Sequence, residues 1–565
     1  MSESLERTLN ELGIDEFIAE TEELALIQTI AIETADETKP GHPELLPRLG
    51  FLYESQGVQA FQNWLFQQDE TQLIKAQGYF QAAFVCWRAI ATLRNNNAEE
   101  FTRGVSPYGI ELLESELIDE PLPSALTLAF RIGVSGTLGN RTAETRLELE
   151  RFYLEEHEEA SRWRDHVIRN VFSAFVRLTR KGGGWEDIDQ ALLHITELRR
   201  LQESFESDYI EAIESSTAKT FAAMELVGLY NLAQLITLTG GYLSSGQPAL
   251  RALNIRIDRH HEQAVTAFQR AELTLLQHLT DLIWLGCREL TRNAIWSHVD
   301  VLGEAIQDFA RLLTERGRPN PVIELWSSQQ IALRSNLLDV YRRALLVEMP
   351  TSAGKTLLAE FVIVQTKALN PGGKIAYVVP TRALVNQITR TLRSDFRRMQ
   401  NPRLVVEQAV PAFQLDPTEN RLLQSDLDIL VTTPEKLDLL IRKDHPASEN
   451  LVLVIVDEAH NLQEGERGAR LELLLGTIKR ERANARFLLL SPFLPNGREL
   501  VQWLGEDRAL DPIVVNWKPA KKLVGAVDFV GTTSQRNLVF ETLEAADNTD
   551  ISAGRRIFIG PGLPS

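Results

Sequence analysis

The sequence predicts a multidomain chain in which an all-α amino-terminal region precedes a doubly wound α/β domain built on a parallel sheet. From the start to about Arg318, apolar residues recur at three- and four-residue spacing with few β-branched runs, the period of helices that bury one face. After Pro319 the texture changes to short β-branched or leucine-rich runs (ALLVEM, KIAYVVP, DILVTT, LVLVIVDEAH and ARFLLLS) separated by helical stretches. That alternation is expected of parallel strands joined by crossover helices and buried on both faces. The 565 residues also exceed what one hydrophobic core organises, so about two to four domains are expected.

Punctuation in the helical region is sparse. Residues 36–47 (DETKPGHPELLP), the PLP at 121–123 and the run Gly182, Gly183, Gly184 are its best breaks, and the glycines place a boundary between helical domains 1–184 and 185–318. Two segments, KAQGYFQAAFVCWRAIATL and LYNLAQLITLTGGYLSSGQ with the HHEQAVTAFQRAE that follows it, resemble tetratricopeptide helix pairs, with small residues where helices would approach closely. The period does not hold, so an irregular bundle is expected, with a repeat array as the alternative. An array would offer its concave face to a protein partner.

Composition narrows the function classes. A hydrophobic fraction of 44% and a charged fraction of 24% are ordinary for globular proteins and argue against long low-complexity tracts. The formal net charge of -19 repels polyanions over the molecule as a whole, so any nucleic-acid contact must come from a local groove. No apolar run reads as long enough to cross a bilayer, and MSESLERTLNELG is acidic and amphipathic rather than a basic leader. A cytoplasmic location with no membrane partner is the expectation. Cys86 and Cys287 each sit in an apolar helical pattern, AAFVCWRAI and DLIWLGCREL, and read as buried structural thiols.

The chemistry begins at the carboxyl ends of the predicted strands, where doubly wound sheets gather their ligands. ALLVEMPTSAGKTLLAEFVIV reads as strand, loop and helix, with Pro350, Thr351, Ser352, Ala353, Gly354, Lys355 and Thr356 as a phosphate cradle. Backbone N–H groups at the helix start hold phosphate oxygens, Gly354 permits close approach, Lys355 faces the β- and γ-phosphates and the Thr356 hydroxyl is a Mg²⁺ ligand. Met349 replaces the usual first glycine of this pattern. A lysine capping an unrelated loop is the bland alternative, which the strand, loop and helix order disfavours.

A second apolar strand, LVLVIV, ends in Asp457, Glu458, Ala459 and His460. Adjacent carboxylates there can divide the labour, Asp457 holding Mg²⁺ and Glu458 orienting and deprotonating water, because phosphoryl transfer needs positioning and charge neutralisation above all. Lys355, Asp457, Glu458 and His460 are therefore the catalytic candidates. A solvated acidic strand end is the competing explanation.

Taken together, EMPTSAGKT, VVPTRALVNQ, VTTPEKLD and VDEAHNLQEGERGARLE resemble, in order and spacing, the first-half motifs of superfamily-2 DEAD/DEAH-box helicases. With Arg467, Gly468, Glu472 and the following LLLSPFLPNGRELVQWLG, the likeness leans to the Ski-like branch and covers about Glu324 to Val527. It implies a RecA-like P-loop NTPase domain over 319–527, with ATP and Mg²⁺ as cofactors. Gln329 would read adenine with Trp326 beside the base, and Thr381, Arg382, Thr433, Pro434, Glu435 and Lys436 would contact the sugar-phosphate backbone of one DNA or RNA strand without reading its sequence. Ser491 and Arg467 would couple the two sites. Helix capping explains the threonines equally well, and a solvated helix face explains Arg390, Arg393, Arg397, Arg398 and Arg403.

Two departures qualify the likeness. The family's Ser-Ala-Thr reads Ser491, Pro492, Phe493 here, which removes a hydroxyl and a backbone N–H, and the Thr-Gly motif expected near Val410 to Phe413 is not recognisable. Residues 528–565 read as a linker or the start of a second RecA-like domain, whose arginine is worth on the order of 10³ to 10⁵ in turnover. The expected function is thus a helicase or translocase motor, truncated or completed by a separate chain carrying that domain. The alternative is an ATP-gated scaffold whose helical region recruits protein partners without unwinding.

Overall fold

The computed structural model describes residues 46–67, 69–96, 124–152, 163–211, 213–351, 353–409, 426–509, 511–515, 517, 523–532, 535–545 and 556–561. The chain divides into two compact units, one running to Arg292 and taking in residues 519–565, the other Asn293–Lys518.

The first unit contains α1 (Leu46–Gln67), α2 (Glu70–Asn96), α3 (Ser124–Leu138), α4 (Thr142–Leu149), α5 (Trp163–Arg180), α6 (Trp185–Glu211), α7 (Ser216–Ser245), α8 (Leu250–Arg270) and α9 (Thr274–Asn293). Sequential helices pack on one another, α1 on α2, α2 on α3, α5 on α6 and α6 on α7. The expected break at Gly182, Gly183 and Gly184 is the turn between α5 and α6, where Gly184 has φ 62° and its N–H donates to Lys181 O at 2.9 Å. The breaks at 36–45 and 121–123 lie outside the described residues. Cys86 and Cys287 are buried, as their patterns imply, and burial pushes the Cys287 thiol up to about 12.

The bundle buries a charged network around Glu54. Glu54 on α1 accepts hydrogen bonds from Trp87 Nε1 at 2.8 Å, Ser135 Oγ at 3.0 Å and Arg131 Nη1, and the Arg131 guanidinium lies over the Trp87 ring at 4.7 Å. Burial raises the Glu54 carboxyl and lowers Arg131, each partly offset by the other.

The expectation that no segment could span a bilayer is corrected by α7, which is long and apolar enough by length and composition to cross one. Polar Asn231 and Gln234 and the pair Gly240, Gly241 interrupt the run in the sequence and conceal it. In the structure 56% of its apolar window is buried, with α6 and α8 packed along it. Beyond residue 522 the chain forms an antiparallel sheet, β8 (Leu523–Thr532), β9 (Gln535–Ala545) and β10 (Arg556–Pro561), in the order β10-β9-β8.

The second unit holds α10 (Trp296–Val299), α11 (Glu304–Leu313), α12 (Ser327–Arg334), β1 (Ala344–Glu348), α13 (Lys355–Leu369), β2 (Lys374–Val378), α14 (Arg382–Phe396), β3 (Val406–Ala409), β4 (Ile429–Thr432), α15 (Pro434–Arg442), β5 (Leu451–Val456), α16 (Gly465–Glu481), β6 (Arg486–Ser491), α17 (Gly497–Gly505) and β7 (Ile513–Val514). Among the described residues the sheet has seven strands in the order β3-β4-β2-β5-β6-β1-β7, every pair parallel. Side chains alternate across each strand, which is why the runs are apolar throughout. On β1, Leu345 and Val347 join one core with Phe361 of α13 and Phe396 of α14, while Ala344 and Leu346 join the other with Leu475 of α16 and Leu504 of α17. Ile306, Phe309 and Leu313 of α11 belong to the first of these cores, so the compact unit opens before Pro319.

This is the doubly wound parallel architecture the strand runs imply, with a helical region before it. Because all strands run the same way, the ends of β1, β2, β4, β5 and β6 share one edge of the sheet.

Candidate functional site

The loop after β1 is fixed at both ends. Met349 is fully buried in the core and its N–H donates to Ser491 O at 2.9 Å, so an apolar anchor stands where the pattern usually has glycine. Pro350 O accepts from the Ala353 N–H at 3.2 Å, and Ala353 O accepts from Ser328 Oγ at 2.9 Å. Gly354 has φ 87°, and a Cβ there would meet Gln329 Nε2 at 2.1 Å. The left-handed backbone favours glycine, and a side chain there would also have to displace the Gln329 amide. Thr351 is exposed, Thr356 is half-buried in the first turn of α13, and Ser352 lies outside the described residues.

Gln329 is brought to this loop. Its Oε1 accepts from the Trp326 N–H at 2.9 Å and its Nε2 donates to Gly354 O at 3.4 Å, which leaves one donor and one acceptor position of the amide unused. The Trp326 ring lies 6.0 Å from that of Trp517.

The carboxylates follow β5, two strands from β1 with β6 between. The Asp457 N–H donates to Val378 O at 2.9 Å. Its carboxylate is held at both oxygens, Oδ2 accepting from the Tyr377 hydroxyl at 3.0 Å and Oδ1 from the Glu458 N–H at 2.9 Å. Burial raises the Asp457 carboxyl, the adjacent Glu458 charge adding to it and Tyr377 and Lys355 opposing.

Glu458 has φ 53°, a left-handed conformation that costs a non-glycine residue about 1–3 kcal/mol. The Asn461 side chain donates to its carbonyl at 2.7 Å, which helps hold that turn. Lys355 Nζ lies 3.8 Å from Glu458 Oε2, and His460 Nδ1 lies 3.3 Å from the same oxygen without hydrogen-bond alignment. Burial lowers the Lys355 ammonium, against the pull of Glu458 and Asp457. Lys355 Nζ, Glu458 Oε2 and His460 Nδ1 are buried atoms without a hydrogen-bond partner. A buried cation lacking an acceptor beside two carboxylates is the donor set that a metal-bound polyphosphate fits.

The other expected residues follow β2 and β4, at the starts of α14 and α15. Thr381 caps α14, its Oγ1 accepting from the Leu384 N–H at 3.3 Å, and Arg382 is exposed. Thr433 is buried at the N-cap of α15, Pro434 is its first residue, and Lys436 is buried. Arg467 ties these segments together: Nε donates to Glu435 Oε1 at 3.2 Å and Nη2 to Pro380 O at 2.7 Å. Within the arginine cluster, Arg393 pairs with Glu407 and Arg398 with Glu315, while Arg390, Arg397 and Arg403 are exposed. The Val410 to Phe413 segment lies outside the described residues.

Ser491 is buried, with its Oγ donating to Phe493 O at 2.9 Å, and Phe493 is 66% exposed. Glu348 Oε1 accepts from the Leu494 N–H at 2.9 Å and ties that turn to β1. The sequence did not reveal Glu348 or Tyr377. A carboxylate ending ALLVE and a tyrosine inside KIAYVVP were the available signals.

Residues 327–499 match the DEAD/DEAH box helicase family model. Hachiman protein HamB of Bacillus cereus is 29% identical over 264 residues, which cover 46% of this chain and 23% of HamB. ATP-dependent DNA helicase Hel308 of Methanocella arvoryzae is 31% identical over 270 residues, 45% of this chain and 34% of that protein. The chain thus spans about a quarter to a third of these relatives' length. Among solved structures, the DUF1998 helicase MrfA bound to DNA is 22% identical, with 38% of this chain and 30% of that one covered at a TM-score of 0.32.

Proposed function

We propose that the chain is the first motor domain of an ATP-dependent nucleic-acid helicase or translocase, joined to a helical region that recruits a protein partner. The observation that supports this best is Lys355, a buried ammonium without an acceptor that faces Glu458 at the carboxyl edge of the sheet. In this reading Lys355 and the N–H groups opening α13 bind the phosphates, and Gln329 meets adenine with its remaining amide positions. Thr356 and Asp457 would hold Mg²⁺, which supplies charge neutralisation on the phosphate oxygens. Glu458 orients the attacking water and accepts its proton, and His460 steadies that carboxylate. Thr381 and Arg382 hold the backbone of one DNA or RNA strand with their exposed side chains, the buried Thr433 and Lys436 set the loop beside them, and Arg467 links the two loops. Turnover needs an arginine from a second RecA-like domain, in the same polypeptide or another.

Equilibrium binding of a fluorescent ATP analogue with Mg²⁺ tests the reading. Wild type should bind and Lys355→Ala should not, and equal binding by the two would overturn it.

A second reading, the ATP-gated scaffold, is favoured by one observation: the Ser491 hydroxyl is engaged by Phe493 O. An ATP-dependent change in partner affinity without multiple turnover supports it, and ATP-driven strand separation by this chain excludes it.

A further inference from the structure

Tyr377 is fully buried in β2, an interior strand between β4 and β5. Its ring shares a core with Leu358, Phe361 and Val362 of α13, the helix that Lys355 begins. A phenylalanine would fill that space equally well, so the hydroxyl is the atom that needs a reason. A buried tyrosine hydroxyl requires a partner, and this one has the carboxylate of Asp457 at 3.0 Å.

The Asp457 backbone is fixed through its N–H to Val378 O, yet the carboxylate could still turn about its side-chain bonds. Two donors stop it, Tyr377 at Oδ2 and the Glu458 N–H at Oδ1. Each oxygen has a second lone pair, so both remain able to accept a further ligand. The Glu458 N–H belongs to a residue in a left-handed turn, whereas Tyr377 stands on a strand paired on both sides.

We propose that Tyr377 is a positioning residue whose hydroxyl aims the Asp457 carboxylate at the divalent cation of the bound nucleotide. The assignment rests on the reading of Asp457 as a Mg²⁺-holding residue. It makes the orientation of that carboxylate a property of the same core that sets the Lys355 helix.

The experiment titrates Mg²⁺ against fluorescent ATP analogue binding, with direct Mn²⁺ binding by electron paramagnetic resonance, in wild type, Tyr377→Phe, Asp457→Asn and the double variant. Tyr377→Phe should raise the metal midpoint about 10- to 100-fold, the usual penalty for losing a group that orients a ligand, and leave metal-free nucleotide binding unchanged. In the Asp457→Asn background it should add nothing. An unchanged midpoint, an equal shift in the Asn background, or unfolding below the assay temperature would each overturn the assignment. If wild-type binding is independent of metal, or Asp457→Asn binds metal as wild type does, the premise about Asp457 fails and the assignment with it.

Discussion

Lys355 Nζ and Glu458 Oε2 lie 3.8 Å apart, too far for a hydrogen bond, and neither atom has a hydrogen-bond partner elsewhere. An ammonium and a carboxylate held just out of contact in a buried place cost stability, because neither recovers its lost hydration. That cost is relieved when a ligand supplies acceptors to the lysine.

Lys355→Ala should therefore separate folding from binding. Without nucleotide, its unfolding temperature should match or exceed that of wild type. At an ATP concentration one hundred times the wild-type Kd, wild type should gain about 2.7 kcal/mol and the variant nothing. Thermal unfolding with and without Mg-ATP checks both, and a variant that keeps the ATP-induced gain contradicts the role given to Lys355.

Glu360 on α13 predicts a pH dependence. Burial, with the neighbouring Asp395 carboxylate adding to it and Arg318 opposing, holds its carboxyl well above the ordinary 4.5. The folded chain keeps a proton there that the unfolded chain has released. The stability Glu360 contributes is complete below about pH 4.5 and is lost as pH rises through the folded-state value. Glu360→Gln keeps a donor towards Asp395 but does not titrate, so its stability should fall less than wild type's from pH 4.5 to neutrality. Denaturant titrations across that range decide it, and parallel profiles would exclude Glu360 as the titrating group.

Gly468 sits in the first turns of α16, and a Cβ there would stand 2.1 Å from Leu462 O. The obstacle is backbone and cannot swing aside. Gly468→Ala should destabilise the second unit by about 1–3 kcal/mol, measured by urea unfolding. Unchanged stability would mean that the turn between the acidic residues and α16 shifts freely.

Arg467→Ala should act on the strand-binding surface and leave stability within about 1 kcal/mol, since its pair with Glu435 is exposed. Single-strand affinity should fall while Mg-ATP binding stays, as read by fluorescence anisotropy with a labelled oligonucleotide. Unaltered strand affinity would confine Arg467 to holding Pro380 O and Glu435.

In the helical unit, Arg131→Met should cost about 3–5 kcal/mol because it leaves Glu54 buried without its cation, and Glu54→Leu added to it should recover much of the loss. Chemical denaturation of both variants tests this, and additive losses would show that the pair is not the source.

The sequence made legible whatever chemistry ties to residue type and place: a lysine after Gly354, acids after LVLVIV, and apolar runs long enough for strands. Contacts across the sheet were hidden. Tyr377 reads as an ordinary strand residue because its hydroxyl finds Asp457 only when β2 and β5 become neighbours. Arg467 likewise shows its bonds to Pro380 and Glu435 only once α16 is folded against both loops. Helical periodicity shows that α11 buries a face but not which core receives it, so Phe309 beside Phe361 could not be foreseen.

The distribution of sulfur has a practical result. The chain's two cysteines, Cys86 and Cys287, are both buried in the helical unit. A thiol-reactive dye should therefore stay dark on the native protein and light up at the rate at which that bundle opens. A cysteine introduced on the surface of the second unit could then be tagged against a silent background, which would let each unit be watched alone.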